Sequence, residues 1–563
     1  MSQRQSFYRK VSYFVTIAIL LVPLSWLSRP ATSASDRHPG DPGGHLAQLR
    51  SEHQLSQANL GQIDPTSETL KLATLGFRGV AVAILWTKVD EYKKHEDWAR
   101  LESTLQQIMT LMPNFVRVWR YQAWNISYNV SVEFDDYRDR YHYVKQGLKL
   151  LVKGAAYNAK EPHLLADIGW FTSQKIGRSD EKREFRRLFA DDTDFHEYLS
   201  NYIDLDQTRG PNENKPDSWL AGRMWYLKAE KLVDDNEHIT VGGVSPALFY
   251  EDSAKCQINF ADTIQKDGFF GEVAERAWRR SAKLWKQYGD RTLELNDGRT
   301  FRLNDVRAKL QEIGELSEQL DALQSGLRTQ MRAERTKDVP PDLLKAMKIK
   351  SDQRSALQRD LAERAERLIL VSPKDLAEQM DESVRGEAIT IADVMGQKAR
   401  LLRKIQSDRG IVNYDAWAFR CLTEQSEHLL KGRQRLHEAN VQYKKGRLDS
   451  DDPNRPGAQQ LFEAGFRSWA AAFKEYPALY YDEHRCEDLL VAVDSYRRRV
   501  LDGGPLPKDF SLAELLRRYA KEPKRRRGSK KVAPKTGKTP AKTEQTTGKD
   551  AKTKPAKKDP AGK

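Results

Sequence analysis

Apolar residues recur at helical spacing along most of the chain. From Leu70 onward they return every three or four residues, with polar and charged residues between them. This period places the apolar side chains on one face of a helix, which can then be buried against another helix. Trp219, Trp225, Trp278 and Trp285 lie on such faces. The pattern predicts a mostly α-helical protein with substantial cores.

One short segment alternates with a period of two instead. Residues 292–295 and 300–303 alternate between apolar and polar on either side of the sequence Asn296-Asp297-Gly298. Alternation that flanks a turn of this composition is typical of a β-hairpin. Because an isolated hairpin is only marginally stable in water, we expect a small flap packed on helices.

A heptad pattern follows the predicted hairpin. Val306, Ile313, Leu320 and Leu327 occupy one seam position of the heptad, and Leu316 and Leu323 occupy the other. The pattern stops at Val339-Pro340-Pro341, and an apolar stripe returns through Leu343, Met347, Leu357, Leu361 and Leu368. Since Pro cannot continue a helix, the prolines predict a turn between two helices. We therefore expect a projecting antiparallel coiled-coil hairpin, with an intermolecular coiled coil as the alternative.

A run of apolar residues lies close to the N-terminus. Residues 11–27 are mostly apolar, and Arg4, Arg9 and Lys10 precede them. A basic start followed by an apolar stretch is typical of export signals, and a run of this length is at the lower limit for crossing a bilayer. Small residues up to Ala34 would also permit cleavage, so a retained anchor and a removed signal peptide both stay open. In either case we expect a membrane contact through residues 11–27 and a periplasmic, extracytoplasmic body.

Three stretches share a pattern of small and large residues. The first has Leu101, Leu105 and Ile108 before Pro113, and Trp119 after it. The second has Gly147, Leu151 and Gly154 before Ala159, followed by Leu165, Ile168 and Gly169. The third and weakest has Gly465, Trp469 and Ala472, and ends at Pro477.

This pattern resembles the tetratricopeptide repeat, in which small residues allow close helix approach and an aromatic ring fills the gap. The copies are degenerate: the first two are 46 residues apart, residues 129–141 are inserted between them, and Gln122-Ala123 replaces the Leu-Gly pair. Ordinary antiparallel helix pairs without a repeat are the alternative. With its N-terminal segment, the chain resembles membrane-anchored bacterial repeat proteins of an uncharacterised family. That resemblance implies binding to other proteins.

The positive charge of the chain is concentrated at its C-terminus. The formal net charge is +14, and residues 521–563 contribute 16 Lys and Arg against four acids, so the rest of the chain carries about +2. This tail lacks Leu, Ile, Phe, Trp and Tyr, which predicts disorder. It could contact polyanions through their charge, without aromatic residues for base stacking. Binding of nucleic acid through the tail is the alternative function, and it requires a cytoplasmic chain.

The sequence predicts no catalytic, cofactor-binding or metal-binding residues. It contains no dinucleotide-binding, zinc-protease or nucleophile-elbow motif. The acidic stretch 191–196 lacks the turn glycine and distal Glu of a calcium loop, so a solvated loop is the better interpretation. Cys256, Cys421 and Cys486 form no disulfide framework, and we expect three buried thiols, with a Cys421–Cys486 bridge as the alternative.

The predicted organisation runs through seven segments. They are a signal anchor or signal peptide (1–34), a linker (35–67), a tetratricopeptide-like helical domain (68–200), a helical domain with the β-hairpin (201–303), the antiparallel helical hairpin (304–372), a C-terminal helical domain (373–520) and a disordered Lys-rich tail (521–563). The predicted function is a membrane-anchored scaffold for protein–protein interaction in the cell envelope, without catalysis. The candidate contact residues are Trp119, Trp124 and Trp170, whose alternative role is in the core, and Lys524, Arg525, Arg526 and Arg527 of the tail.

Overall fold

The structure is a computed structural model of a mostly α-helical protein. It describes residues 78–520 except 237, 240, 242, 296 and 453, together with residues 43–52 and scattered positions between 8 and 27. The predicted fold class is confirmed. The predicted tail, residues 521–563, and most of the predicted linker lie outside the described residues.

The first half of the described chain is built from consecutive helices. They are α1 (His45–Glu52), α2 (Arg78–Lys94), α3 (Trp98–Leu111), α4 (Val116–Trp124), α5 (Tyr137–Tyr157), α6 (Pro162–Trp170), α7 (Lys182–Asp191), α8 (Thr193–Ser200), α9 (Ser218–Asp234), α10 (Pro246–Lys266) and α11 (Glu272–Asp290). Two π-helical segments, π1 (Asn125–Val130) and π2 (Phe171–Ile176), directly continue α4 and α6.

A small sheet and a second series of helices follow. The strands are β1 (Leu293–Glu294) and β2 (Thr300–Phe301). The helices are α12 (Val306–Leu323), α13 (Leu327–Lys337), α14 (Pro341–Lys348), α15 (Ala356–Ile369), α16 (Pro373–Glu378), α17 (Glu382–Ile411), α18 (Tyr414–Glu424), α19 (Glu427–Lys444), α20 (Ala458–Glu475), α21 (Glu483–Arg499) and α22 (Ala513–Ala520). The chain divides into two compact units between Pro477 and Ala478, and the second unit contains α21 and α22.

The prediction of a single-pass membrane protein is corrected by the structure. No helix within the described residues is long and apolar enough to cross a bilayer. Of the apolar run 11–27, several positions are helical, and positions 14, 17, 18, 21, 24 and 25 lie outside the described residues. A shorter apolar run, residues 79–86, belongs to α2, which is 17 residues long and carries charges at both ends. Spanning requires about 20 predominantly apolar residues.

Local capping interactions explain where several helices begin. The Asp97 carboxylate accepts a hydrogen bond from the Arg100 amide at the start of α3, and Asp136 accepts one from the Arg138 amide at the start of α5. Pro162 is the first residue of α6, where its missing N–H costs nothing. Such caps satisfy amide donors that have no partner inside the helix.

Consecutive helices of the first half pack on one another around a continuous core. Helix α4 packs on α5, α6 packs on α5 and α9, and α10 packs on α9 and α11. The predicted tryptophans are in this core: Trp219, Trp225, Trp278 and Trp285 are all buried. The Trp285 ring stacks on Tyr414, whose carbonyl oxygen accepts a 3.1 Å hydrogen bond from the indole N–H. Helix α18 is thereby joined to the core of the first half.

The predicted β-hairpin is confirmed. The strands are antiparallel, with Leu293 opposite Phe301 and Glu294 opposite Thr300. The turn contains Gly298 with a φ of +79°, a conformation that favours glycine. Leu293 and Phe301 are buried in the main core, so the two strands form a small flap held by helices, as the sequence predicts.

An antiparallel helical hairpin is present, but its second arm differs from the prediction. Helix α12 packs chiefly against α17, whereas the returning helix α15 packs on α13 and α14. Three contacts define the antiparallel register: Arg409 donates to the Leu303 carbonyl, Lys398 lies 2.6 Å from Glu312, and the Asp381 amide donates to the Gln324 side chain. The turn at residues 338–340 joins α13 to α14, which begins at Pro341, within a smaller group of helices.

The far end of this hairpin has cores of its own. Leu320, Leu376 and Met380 belong to one buried cluster formed by α12, α16, α17 and neighbouring residues. Val339 and Ile369 belong to another, where α14 and α15 pack together. Neither cluster is part of the main core, because the helices between 306 and 400 bury their apolar faces mainly against each other.

The three cysteines are free and buried. Burial raises the pKa of the Cys421 thiol to about 12, and it also raises the pKa of Cys256 and Cys486. The Cys486 thiol, in the second compact unit, donates to the Leu479 carbonyl at 3.3 Å. These thiols behave as small core residues, which confirms the favoured prediction over the Cys421–Cys486 bridge.

Candidate interaction site

Two helices that begin 46 residues apart have the same unusual construction. Helix α4 runs for nine residues and continues into the six-residue π1, and α6 runs for nine residues and continues into the six-residue π2. π-Helical turns are rare and occur frequently at functional sites. The 46-residue spacing equates Trp124 with Trp170 and Ser127 with Ser173. The sequence pattern that suggested a repeat therefore coincides with a repeated backbone feature.

Hydroxyl side chains accompany the π-helical turns. The Thr172 hydroxyl donates to the Ile168 carbonyl, and the Ser173 hydroxyl donates to the Gly169 carbonyl, each at 2.8 Å. At the end of π1, the Ser131 hydroxyl donates to the Ser127 carbonyl at 2.6 Å. Such bonds satisfy carbonyl oxygens when the regular α-helical ladder is interrupted.

Small residues let a neighbouring helix approach each π segment closely. A Cβ placed on Gly147 of α5 would lie 2.1 Å from the Ser127 hydroxyl oxygen. A Cβ placed on Gly222 of α9 would lie 2.7 Å from the Ser173 Cβ. Both distances are too short for a side chain. The same Gly–Ser contact thus fixes both π segments in the protein.

An aromatic cluster joins the two segments. The Tyr128 ring lies 5.9 Å from Trp124, 5.8 Å from Trp170 and 5.7 Å from Phe171, measured between ring centroids. The Trp124 ring is nearly parallel to that of Tyr128, whereas Phe171 meets it edge-on. Trp170 is 41% exposed, Trp124 and Tyr128 are half-buried, and Phe171 is buried. We call these four residues the aromatic cluster.

Trp119 has a different environment from the other two candidate tryptophans. It is 3% exposed, its ring stacks on Tyr157, and its indole N–H donates to the Pro113 carbonyl at 2.7 Å. A Cβ on Gly154 would lie 2.8 Å from this ring, so Trp119 fills the gap between α4 and α5. The structure therefore brings Trp124 and Trp170 together and places Trp119 in the core.

A buried lysine lies beside the aromatic cluster. The Lys175 ammonium is 4.2 Å from the centroid of the Tyr128 ring, a cation–π distance. Lys175 is buried, and within the described residues no carboxylate is close enough to form an ion pair with it. Burial lowers the pKa of the Lys175 ammonium, and the nearby Glu181 opposes that effect. An anionic group of another molecule could pair with this ammonium, whose own desolvation cost is already met in the fold.

An ion pair links α4 and α6 one turn before the aromatic cluster. The Arg120 guanidinium binds both oxygens of the Asp167 carboxylate. Burial raises the pKa of Asp167, while Arg120 opposes this increase. The pair holds the two helices in register, which also fixes the distance between Trp124 and Trp170.

Other candidate residues do not join this site. Lys524, Arg525, Arg526 and Arg527 lie outside the described residues. In the acidic stretch 191–196, Asp192 caps α8 and pairs with Lys145, and Asp191 pairs with Lys215. Among the residues that the structure describes, no group of three or more His, Cys, Asp or Glu side chains could hold a metal ion.

Sequence reasoning missed three contributors to the site: Tyr128, Lys175 and the Arg120–Asp167 pair. An alignment of the sequence with itself at an offset of 46 residues would have equated Trp124 with Trp170 and drawn attention to the residues around them. No sequence signal indicates the π-helical geometry that brings Tyr128 and Lys175 together. No protein-family description matches the chain, and no curated protein is similar to it in sequence.

Proposed function

We propose that this protein is a non-catalytic scaffold that binds a segment of a partner protein across α4/π1 and α6/π2. The aromatic cluster, in which Trp170 is exposed, is the observation that carries the proposal. Trp and Tyr are enriched among the residues that dominate binding energy at protein interfaces. Trp170 presents 41% of its surface to solvent while its contacts with Tyr128 and Phe171 hold it in place. Little side-chain freedom remains to be lost when a partner binds.

The order of the helices supports a tetratricopeptide-like interpretation of this region. Antiparallel neighbours α4/α5 and α6/α9 pack through glycines, and the equivalent aromatic residues recur at a spacing of 46 residues. Repeats of this kind present the same face of successive helices to a bound peptide. The proposal of a repeat rests on these two copies.

The chemistry of the site indicates what the partner segment contains. The rings of the cluster favour an apolar or aromatic side chain. Lys175 lacks a carboxylate partner within the described residues and lies against Tyr128. We therefore propose that the partner segment places an apolar residue on Trp170 and a carboxylate near Lys175.

Selection from a displayed random-peptide library on the full chain tests the proposal. We expect enrichment of peptides that carry an apolar residue close to Asp or Glu. Trp170→Ala should weaken their binding by about tenfold or more, since a central aromatic contact contributes about 2 kcal/mol. Leu357→Ala, which removes an exposed apolar side chain of α15, is the matched control and should leave binding unchanged.

The proposal fails if no peptide class is enriched, or if the enriched peptides bind the Trp170→Ala protein as well as the unmodified chain. Lys175→Gln tests the proposed contact with a carboxylate separately from the proposed apolar contact with Trp170. It should weaken acidic peptides and leave binding of their amide-substituted versions unchanged.

A further inference from the structure

A second candidate site is a pocket whose lining shares no residue with the aromatic cluster and is rich in basic side chains. A pocket of about 560 Å³ is bounded by α7, the 210–217 loop, the end of α10 with the turn after it, and α19. Its volume falls in the usual range of small-molecule sites, roughly 300–1,000 Å³. We call it the basic pocket, because six Arg and Lys side chains and only two Asp side chains line it: Arg183, Arg186, Arg187, Lys215, Lys266, Lys444, Asp217 and Asp267.

Both acidic residues of the basic pocket are already engaged by the protein. The Asp267 carboxylate is bound by the Arg186 guanidinium. The Asp217 carboxylate accepts hydrogen bonds from the Trp219 and Leu220 amides at 2.8 and 3.4 Å, as the cap of α9. Asp267 is thereby neutralised, whereas Asp217 keeps its charge and offsets one of the remaining cations.

Two of the lysines are neutralised from outside the pocket. Lys215 pairs with Asp191 and Glu213, at 2.8 and 2.5 Å. Lys266 pairs with Asp262 at 2.7 Å. Since Arg186 is paired with Asp267, these residues leave one carboxylate, Asp217, without a cation of its own, and any positive surplus must come from the residues at the rim.

Three cations at the rim supply that surplus. Arg183 and Arg187 of α7 and Lys444 of α19 are exposed, and in the described part of the chain none of them forms an ion pair. Arg187 donates a hydrogen bond to the Tyr137 hydroxyl, at 3.3 Å. Arg183 and Arg187 are one helical turn apart, which places their Cβ atoms about 5–6 Å from each other. Side chains this close repel one another unless an anion lies between them.

Apolar side chains also line the pocket. They are those of Ile264, which is buried, Phe269 and Pro211. Arginine binds phosphate groups through paired N–H donors, and an Arg183–Arg187 pair with Lys444 on a separate helix suits a chain of adjacent phosphates. A ring attached to such a group could rest on these apolar side chains.

We propose that the basic pocket binds a small phosphate-rich anion with two or more linked phosphate groups. Inorganic polyphosphate and a nucleoside polyphosphate share this chemistry. A pocket of this size suits a short anion better than a nucleic-acid duplex, whose phosphates extend along a long surface.

The test uses the full chain with sodium tripolyphosphate and with ATP as separate probes, in magnesium-free buffer. Hydrogen–deuterium exchange locates the bound anion, and calorimetry measures its affinity. Tripolyphosphate should slow exchange in residues 183–190 and 210–217. The Arg183→Glu/Arg187→Glu protein should lose about tenfold or more in affinity. Arg276→Glu/Lys283→Glu on α11 makes the same change in net charge at two exposed positions outside the pocket, and should change affinity by less than about twofold.

Lys444→Gln provides a second measure on a separate helix if charge reversal on α7 disturbs folding. Equal affinity for ATP and tripolyphosphate identifies the phosphates as the whole ligand, and tighter binding of ATP adds the nucleoside; both results support the proposal. Protection confined to residues outside the pocket, unchanged affinity in the pocket variants, or binding of a nucleic acid alone would overturn it.

Discussion

Gly147 of α5 lies directly over Ser127 of π1, so close that a Cβ on the glycine would be 2.1 Å from the serine hydroxyl oxygen. The Ala123 carbonyl oxygen is also only 2.8 Å from that position. Backbone atoms cannot move aside as a flexible side chain can. The contact therefore sets the separation of α4/π1 and α5, and through it the position of the aromatic cluster.

Gly147→Ala should destabilise the protein by about 1–3 kcal/mol, the usual cost of inserting a methyl group into a filled interior. The matched control is Gly314→Ala in α12, where no atom lies within 4 Å of the added Cβ. That substitution should be neutral or stabilise the helix by up to about 1 kcal/mol, because Ala is the better helix former. Urea unfolding followed by far-ultraviolet circular dichroism measures both. Equal effects of the two substitutions would contradict the close contact.

Substitution of Trp119 should lower the unfolding free energy more than substitution of Trp170. Trp119→Ala removes a buried, hydrogen-bonded ring and should cost about 3–5 kcal/mol of unfolding free energy. Trp170→Ala removes a ring that is 41% exposed and should cost about 1 kcal/mol, the loss of its contacts with Tyr128 and Phe171. The same denaturation experiment compares them. If Trp170→Ala lowers the unfolding free energy as much as Trp119→Ala does, Trp170 is a core residue and its proposed contact role is lost.

Two buried glutamates should make stability depend on pH. Burial raises the pKa of Glu230 and of Glu251 to about 7, from an ordinary value of 4.5. The folded protein then binds more protons than the unfolded chain between these values, so the unfolding free energy falls as pH rises. We expect each glutamate to contribute a loss of about 2–3 kcal/mol between pH 5 and pH 8, and the two together about 5 kcal/mol.

Glu251→Gln should flatten this dependence, because the amide does not titrate. Glu312→Gln is the control: Lys309 and Lys398 lower the pKa of Glu312, so that carboxylate is ionised throughout the range and its removal should leave the slope unchanged. Thermal unfolding midpoints at several pH values provide the comparison. A slope that Glu251→Gln does not alter would show that other groups cause it.

The pairing of α12 with α17 can be tested by chemical cross-linking. The Lys398 ammonium lies 2.6 Å from the Glu312 carboxylate, close enough for a carbodiimide to join them by an amide bond. Mass spectrometry of the digested protein should detect this link. Lys398→Arg should abolish it, while the link between Lys145 and Asp192, 2.7 Å apart, should persist. Links from 306–323 to 343–368 in its place would support the arrangement expected from sequence.

Local patterns predicted local structure well. The β-hairpin follows from Asn296-Asp297-Gly298 and its flanking alternation, which involve only a dozen residues. The buried tryptophans of α9 and α11 follow from helical periodicity. In each case the signal and the structure lie within one or two adjacent elements, so no distant contact had to be known.

Partnerships between distant helices could not be predicted in the same way. Pro340 and Pro341 do mark a turn, but the apolar seam of α12 is equally compatible with α15 and α17, and only tertiary packing selects α17. The apolar run 11–27 led to the membrane prediction through composition alone, and no described helix fits that role. Tyr128 and Lys175 became visible as site residues only once the π-helical turns placed them beside each other.

The separate cores at the far end of the α12/α17 pair give that region some independence. Because the Leu320–Met380 and Val339–Ile369 clusters share no buried residue with the main core, their loss would leave the interior around Trp225 and Trp278 intact. Such a region can open cooperatively while the rest of the protein stays folded. Natural variation in length or sequence can accumulate there without disturbing either the aromatic cluster or the basic pocket.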